Sequence, residues 1–558
     1  MTIFETASNS TAGGSVLRRN FLRSMFGSVV LAWASIRSGS ASASSSLSFD
    51  HGVASGDPLS DGIILWTRIS GATNDAYPVR WRVASDHDMQ QIVREGIAWT
   101  DDWFDYTVKV DVRGLPAGST LYYRFDVDGE YSPVGRTRTL PEGELASACF
   151  AVVTCSNHPA GYFHVYREIA KRDDIDAVIH LGDYIYDYGM GEYATDRAES
   201  LGRIPEPRGE TLTLDDYRQR HAQYKSDPDS LTMLQGHPLI AIWDDHEIAN
   251  DAWRDGAENH QEEEGSWPRR RDAAIRAYYE WMPVRGVATG GDTRIFRRFR
   301  YGNLLSLIML DTRLHGRDRQ PDVGNDVTPE SVRAALQDPE RRILGPVQEG
   351  WLRRTLAADV DTTWQVIAQQ VMLAPVRAPD LEPLLDRDKP SMVPPEQLDH
   401  YTAQSKDNPP MVLDTWNGYP QAREDFLADL QALARNAVVL SGDLHTSMAN
   451  NVLTRDGDVP VAVEIMTSSV SSPGFAEYLP LRHPDALSEA TRDVNPWMKY
   501  METERRGWVR LTLTPEECVA EWHLVDTVHA RRYTSDIDRR LAVQAGDIAA
   551  GLHDADVS

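Results

Sequence analysis

Six apolar runs constrain this chain more than any other feature: CFAVVTC, DAVIHLGD, PLIAIWDDHE, LLSLIMLDTR, TWQVIAQQVMLAP and NAVVLSGDLH. Each holds four to eight apolar residues and stops on polar side chains. Between them lie FHVYREIAKR, DAAIRAYYEWM, QEGWLRRTLA and AREDFLADLQALAR, whose apolar residues recur at three- and four-residue spacing. Strands alternating with amphipathic helices predict an α/β or layered α/β/β/α domain with both sheet faces covered. Ahead of it, from about 47 to 140, GIILWTRI, YPVRWRVAS, YTVKVDVRG, TLYYRFDVDG and RTRTL alternate with period two and are divided by turns. That pattern predicts a β-sandwich of immunoglobulin or fibronectin type.

At 558 residues the chain exceeds one ordinary core. We expect a leader at 1–43, the sandwich at 47–140, the layered domain at 147–530 and a polar tail or helix at 531–558. The leader is read from Arg18 and Arg19, the short apolar stretch MFGSVVLAWASI and the small residues Ala41-Ser42-Ala43. It resembles a twin-arginine export signal. The twin-arginine machinery is therefore an expected partner, the expected location is periplasmic or extracellular, and the mature chain should start near Ser44. With 57 Lys and Arg against 84 Asp and Glu, a net charge of -27 argues against nucleic acid as a partner. No apolar run reaches eighteen residues, so nothing is expected to span a membrane in the mature chain. The cysteines, Cys149, Cys155 and Cys518, are odd in number and make no disulfide framework.

The strand ends carry the chemistry. They offer Cys155; Asp183 and Tyr186; Asp244, Asp245 and His246; and Asp443 and His445. Alone, a strand-end Asp is a helix cap and a Cys is packing. Together they are four sets of metal-capable side chains, expected on one edge of one sheet. Thiolate, phenolate and imidazole suit a trivalent or borderline transition metal, whereas carboxylates suit a hard ion such as Ca²⁺. Cys155, Tyr186 and His445 can supply the first site, Asp245 and Asp443 the second, with Asp183 between them.

The chain resembles the alkaline phosphatase D (PhoD) family of calcineurin-like, purple-acid-phosphatase-like metallophosphoesterases. The resemblance rests on HGVASGDPLSDGIILWTRI, the Cys155 turn with GYFHVYREIA, HLGDYIYDYG, WDDHEIAND, LDTR, LGPVQEGWL, AQQVMLAP, DTWNGYP and LSGDLHTS, in order over nearly the whole mature chain. It implies a ferric ion held by Cys155, Asp183, Tyr186 and His445. It further implies one or two calcium ions held by Asp183, Asp245 and Asp443, with Asp245 standing where the wider superfamily has an asparagine ligand. His246 matches a histidine that contacts phosphate and assists the leaving group. Gln369 and Gln370 stand where most relatives place a metal-binding histidine. The implied activity is that of a secreted alkaline phosphatase and phosphodiesterase, acting by attack of a metal-activated hydroxide on phosphate esters, phospholipids among them.

Arg313 in LDTR is a candidate for neutralising substrate phosphate, as are Arg203, Arg208, Arg218 and Arg220, although arginines in an acidic protein commonly pair with neighbouring carboxylates. Two other readings remain open. A phospholipase D-type or phosphotriester-directed hydrolase could use the same site, with the long polar stretches at roughly 189–229 and 376–424 shaping its pocket. A surface binding protein with a merely structural metal is the other, and a closed coordination shell would mark it.

Overall fold

The computed structural model describes residues 47–73, 76–286, 294–321 and 329–555. The expected leader at 1–43 lies outside these residues. Two large sheets form the body. The first runs, by position, His553–Asp554, Ser535–Gln544, Glu517–Val525, Arg506–Leu513, Ala148–Val153, Ala177–His180, Pro238–Ala241, Val53–Gly56, Gly62–Arg68 and Thr107–Arg113. The second runs Arg297–Tyr301, Leu305–Met309, Trp364–Ala368, Ala437–Ser441, Ala462–Met466, Ser447–Val452 and Met498–Glu502. All six apolar runs of the sequence are strands, three parallel neighbours in each sheet.

Alternation along the second sheet explains why those runs are apolar throughout. Leu305, Leu307, Val366, Ala368, Val438 and Leu440 join the core that also takes Phe150, Val152, Val178, Val509 and Leu511 of the first sheet. Ile308, Ile367 and Val439, one residue out of phase, pack against Leu352, Leu356, Phe426 and Leu427. Those four belong to the helices Gly345–Ala358 and Pro420–Leu433. Both faces are therefore buried. Each such side chain contributes on the order of 1.5–3 kcal/mol. On the outer face of the first sheet lie Val165, Ile169, Met233, Leu234 and Ile275, from the helices His164–Ala170, Pro228–Gly236 and Trp267–Trp281. Helix, sheet, sheet and helix follow one another, as the alternation predicts.

The amino-terminal segment packs as two layers. One is a five-stranded sheet of Tyr77–Ala84, Ile92–Thr100, Thr120–Val127, Glu130–Tyr131 and Gly135–Arg138. Its Val79, Val83, Leu121, Tyr123 and Phe125 meet Val53, Ile63, Leu65, Val108 and Val112. The second layer is the edge of the first large sheet, because Ser55 and Gly56 pair in parallel with Pro238 and Leu239. Hydrogen bonds thus run from the segment at 47–140 straight into the layered body.

One segment differs from the sequence reading, and two polar stretches hold helices that the sequence did not reveal. Residues 531–558 were expected as a polar tail or helix; the described part contains the strand Ser535–Gln544, paired along its length with Glu517–Val525. Leu541 and Val543, two residues apart, enter the main core, and Arg540 bonds Glu521 at 2.5 Å. Period two had been masked there by charged residues on the open face. The polar stretch at 189–229 contains the helix Leu214–Lys225, capped reciprocally by Thr213 and Asp216. It buries Tyr217, Arg220, His221, Tyr224 and Lys225, so apolar periodicity could not reveal it. Pro395–Ser405 is a helix within 376–424. All three cysteines are free and buried.

Candidate metal centre

Cys155 follows the strand Ala148–Val153, Asp183 follows Ala177–His180, and Asp244 to His246 follow Pro238–Ala241. Asp443 and His445 follow Ala437–Ser441, which belongs to the second sheet. The sequence reading placed all four groups on one sheet edge; they converge instead from two sheets. The sheets are tied at this end by a bridge between Thr154 and Ser469 and by Thr467 Oγ1 donating to Val152 O at 3.2 Å.

Two glycines make the approach possible. A Cβ on Gly182 (φ 117°) would lie 2.4 Å from Asp244 Cβ, and one on Gly442 would lie 2.8 Å from Thr154 Cγ2. Glu247 joins two of the strand ends, accepting from the backbone N–H of Asp183 at 3.0 Å, of Tyr184 at 2.5 Å and of Asp244 at 2.7 Å. Cys155, Asp183, Asp443 and His445 all have positive φ, between 54° and 68°. Non-glycine residues pay roughly 1–3 kcal/mol for such conformations, which cluster where geometry serves a site.

Ligand-capable atoms of Cys155, Asp183 and His445 lie within 4.8 Å of one another; so do those of Asp183, Asp245 and His246, those of Asp244, Asp245 and Asp443, and those of Asp245, Asp251 and Asp414. Tyr186 OH is 3.1 Å from His445 Nε2 and receives a hydrogen bond from Ser472 Oγ at 2.7 Å. Burial, then the carboxylates of Asp183 and Asp443, push the Cys155 thiol well up. Burial also pushes up Tyr186, Asp183 and Asp443. Burial lowers His445 to about 3, leaving a neutral imidazole able to donate a lone pair. Acidic groups share such a cavity where positive charge is supplied. Arg313 supplies part of it. Asp244 Oδ2 and Asp443 Oδ2 are buried without a hydrogen-bond partner among the described residues. This donor set, mixed S, N and O on one side and carboxylate on the other, fits cations of two kinds.

Arg313 does not face a substrate. It is fully buried, its Nη2 is 2.9 Å from Asp443 Oδ1, and its other nitrogens hold Asp244 and Asp414. With every nitrogen bound to a carboxylate, it positions and neutralises the cluster. Arg203 pairs with Asp227 at 2.6 Å and Arg218 with Glu280 at 2.7 Å. Arg220 binds the carbonyls of Tyr186 and Tyr188, and Arg208 lies on the surface 3.8 Å from Glu199. Gln370 donates to Leu310 O and accepts from Thr312, while Gln369 accepts from Trp416 Nε1 at 2.8 Å.

Several residues of the site were not assigned from sequence. Asp187, the second carboxylate of HLGDYIYDYG, holds His246 Nδ1 at 2.7 Å and accepts from Asn259 Nδ2 at 2.8 Å. Tyr193, from the polar stretch, lies 3.3 Å from His445 Nδ1 and stacks parallel to the His246 ring. Asp251 donates its N–H to Asp245 Oδ2 at 2.6 Å. Asp187, Asp251 and Asp414 lie inside the quoted motifs, so motif membership was the available signal; Tyr193 had none.

Residues 150–522 match the model of the PhoD-like phosphatase family, and residues 34–141 match that of its N-terminal domain. The chain belongs to the PhoD-like phosphatase family. It is 34% identical over 500 residues to alkaline phosphatase D of Bacillus subtilis (strain 168), covering 87% of this chain and 79% of that one. A solved structure titled "Structure of PhoD" superposes with a TM-score of 0.78 at 32% identity, covering 91% of this chain and 92% of the other. Family membership makes the chain a metal-dependent phosphoric ester hydrolase.

Proposed function

We propose that this PhoD-like chain is an exported alkaline phosphatase with phosphodiesterase activity. Cys155, Asp183, Tyr186 and His445 would hold a ferric ion, and Asp183, Asp245 and Asp443 one or two calcium ions. One observation carries the reading: the Asp183 carboxylate belongs both to the group with Cys155 and His445 and to the group with Asp245 and His246. A carboxylate common to a soft-donor set and a carboxylate set is what a mixed pair of ions needs. Such a pair, when bound, supplies Lewis-acid stabilisation of phosphate oxygens and lowers the pKa of attacking water.

The chain's own residues do the rest. Burial pulls His246 down, but Asp245, Asp183 and Asp187 outweigh it and hold the imidazole well above its usual range. With Nδ1 held by Asp187, Nε2 has no partner among the described residues and is free to donate to a leaving alkoxide or a phosphate oxygen. The Tyr186 ring stacks on His246 at 4.2 Å between centroids and fixes its plane. Asp443, His445 and Tyr193 are the half-buried members of the cluster and form its approach.

The test joins elemental analysis and a visible spectrum of purified protein with hydrolysis of p-nitrophenyl phosphate and bis-p-nitrophenyl phosphate. Iron, calcium and a tyrosinate-to-iron band that Tyr186→Phe abolishes are expected, with turnover of both esters. Asp183→Asn should lose metal and activity together; normal turnover by that variant overturns the shared-ligand reading. Export follows from the sequence at 18–43, and Arg18→Lys with Arg19→Lys should leave the precursor inside the cell. Among the described residues no helix is long and apolar enough to cross a membrane.

A further inference from the structure

The turn DTWNGYP has two sides. Asp414 turns its carboxylate to Arg313 and Arg317. Trp416, Asn417 and Pro420 instead line a cavity of about 510 Å³, which shares no residue with the metal-capable groups. That volume lies in the range of small-molecule sites. Its apolar wall is stiff: half-buried Trp497 with Pro375, Pro410 and Pro496, backed by Trp416, which is fully buried. Such residues lose little conformational freedom when a ligand packs on them.

The polar groups of the wall are of two kinds. Arg423 is spent internally, donating to Leu373 O and Leu453 O and pairing with Glu424 at 2.7 Å. Arg377 and Arg455 are exposed, and neither guanidinium has a hydrogen-bond or ion-pair partner among the described residues. Their backbones, however, are pinned. Asn495 accepts from Arg377 N and donates to Arg377 O, both at 2.8 Å, and Glu424 Oε2 accepts from Arg455 N at 2.9 Å. Asp458, on the same turn as Arg455, also lines the cavity. The Trp497 indole N–H is buried and has no hydrogen-bond partner among the described residues, although buried indoles usually find one.

We propose that this cavity is a second, non-catalytic ligand site for a small organic anion with a flat apolar body. The body packs on Trp497 and the prolines beside it, and the charge is met by Arg377 and Arg455. The test is a fluorescence titration of the metal-loaded protein with 8-anilinonaphthalene-1-sulfonate, beside the uncharged N-phenyl-1-naphthylamine. Saturable binding of the sulfonate is expected, with the uncharged probe about tenfold weaker or worse. Arg377→Ala with Arg455→Ala should weaken the sulfonate about tenfold and leave both the uncharged probe and phosphatase activity unchanged. Saturating inorganic phosphate should not displace the sulfonate. Displacement by phosphate would put the probe in the catalytic centre and overturn the proposal. So would unchanged affinity in the double variant, equal affinity for the two probes, or no saturation below about 1 mM.

Discussion

Asp187 reaches the chemistry only through His246: its Oδ1 holds Nδ1 at 2.7 Å, while Asn259 and Arg270 hold its Oδ2 side. Asp187→Asn keeps the shape and removes the charge that orients and supports the imidazole. We expect kcat to fall about 10–100-fold with KM and metal content nearly unchanged. Adding His246→Ala should cost less than the two separate losses combined, since both act on one proton; full additivity would show that Asp187 works elsewhere. Arg313 acts on structure. Arg313→Met would leave Asp244, Asp414 and Asp443 without their buried guanidinium, a loss on the order of 3–5 kcal/mol that urea unfolding of the metal-loaded protein would measure. The contrast shows what was legible at this scale. Residue type and position at strand ends mark Cys155, Asp183, Tyr186, Asp245, Asp443 and His445 as candidates, because ligands bind beyond the carboxyl ends of strands, and the fold gathers them in one place. They could not separate Arg313, which faces inward, from an arginine that faces substrate, since that difference lies in which carboxylates the fold brings around it.

The helix Leu214–Lys225 poses a problem that apolar periodicity cannot express. Its face toward the body is polar, and Lys225 is fully buried with no carboxylate partner among the described residues, its ammonium over the rings of Tyr184 at 4.6 Å and Trp66 at 5.0 Å. Burial brings Lys225 from 10.5 down to about 7. Between those values the unfolded chain keeps the proton and the folded chain does not, so this group's contribution to stability rises with pH across that window. Lys225→Met removes the dependence. The variant should therefore melt above the parent near pH 7, by an amount on the order of a few kcal/mol, and the gap should close toward pH 10.5. Calorimetry of both proteins at matched metal loading reads this directly, and a gap that stays constant with pH would sink the argument. The six apolar strands were legible for the opposite reason: they are buried on both faces, so their composition alone marks them. The strand Ser535–Gln544 was not, because it is solvated on one face and its charges there, Arg540 among them, pair with the neighbouring strand.

Across the whole molecule, hydrogen bonding ignores the boundary that composition marks near residue 141. The period-two pattern before it and the strand-helix rhythm after it were both read correctly from local sequence. Their union depends on Val53–Gly56, a four-residue strand too short to carry a pattern, which pairs with Pro238–Ala241 on one side and Gly62–Arg68 on the other. The junction is deep. Trp66 Nε1 donates to Glu280 O at 2.8 Å, Lys109 Nζ donates to Val284 O at 3.1 Å, and Asp57 accepts from Arg297 Nη2 at 2.7 Å. A chain begun at residue 142 would leave Pro238–Ala241 as an open edge one strand from the one that carries Asp183, with Arg297 stripped of its carboxylate. An open edge of that kind invites pairing with other chains. Such a truncation should therefore be recovered as aggregate, and the separately produced segment 44–141 should not restore phosphatase activity on mixing, because the pairing must form while the sheet is assembled. Light scattering and a p-nitrophenyl phosphate assay on the mixture decide it. A soluble, metal-loaded and active truncation would show that the strands at 53–113 are attached to the catalytic sheet without supporting it.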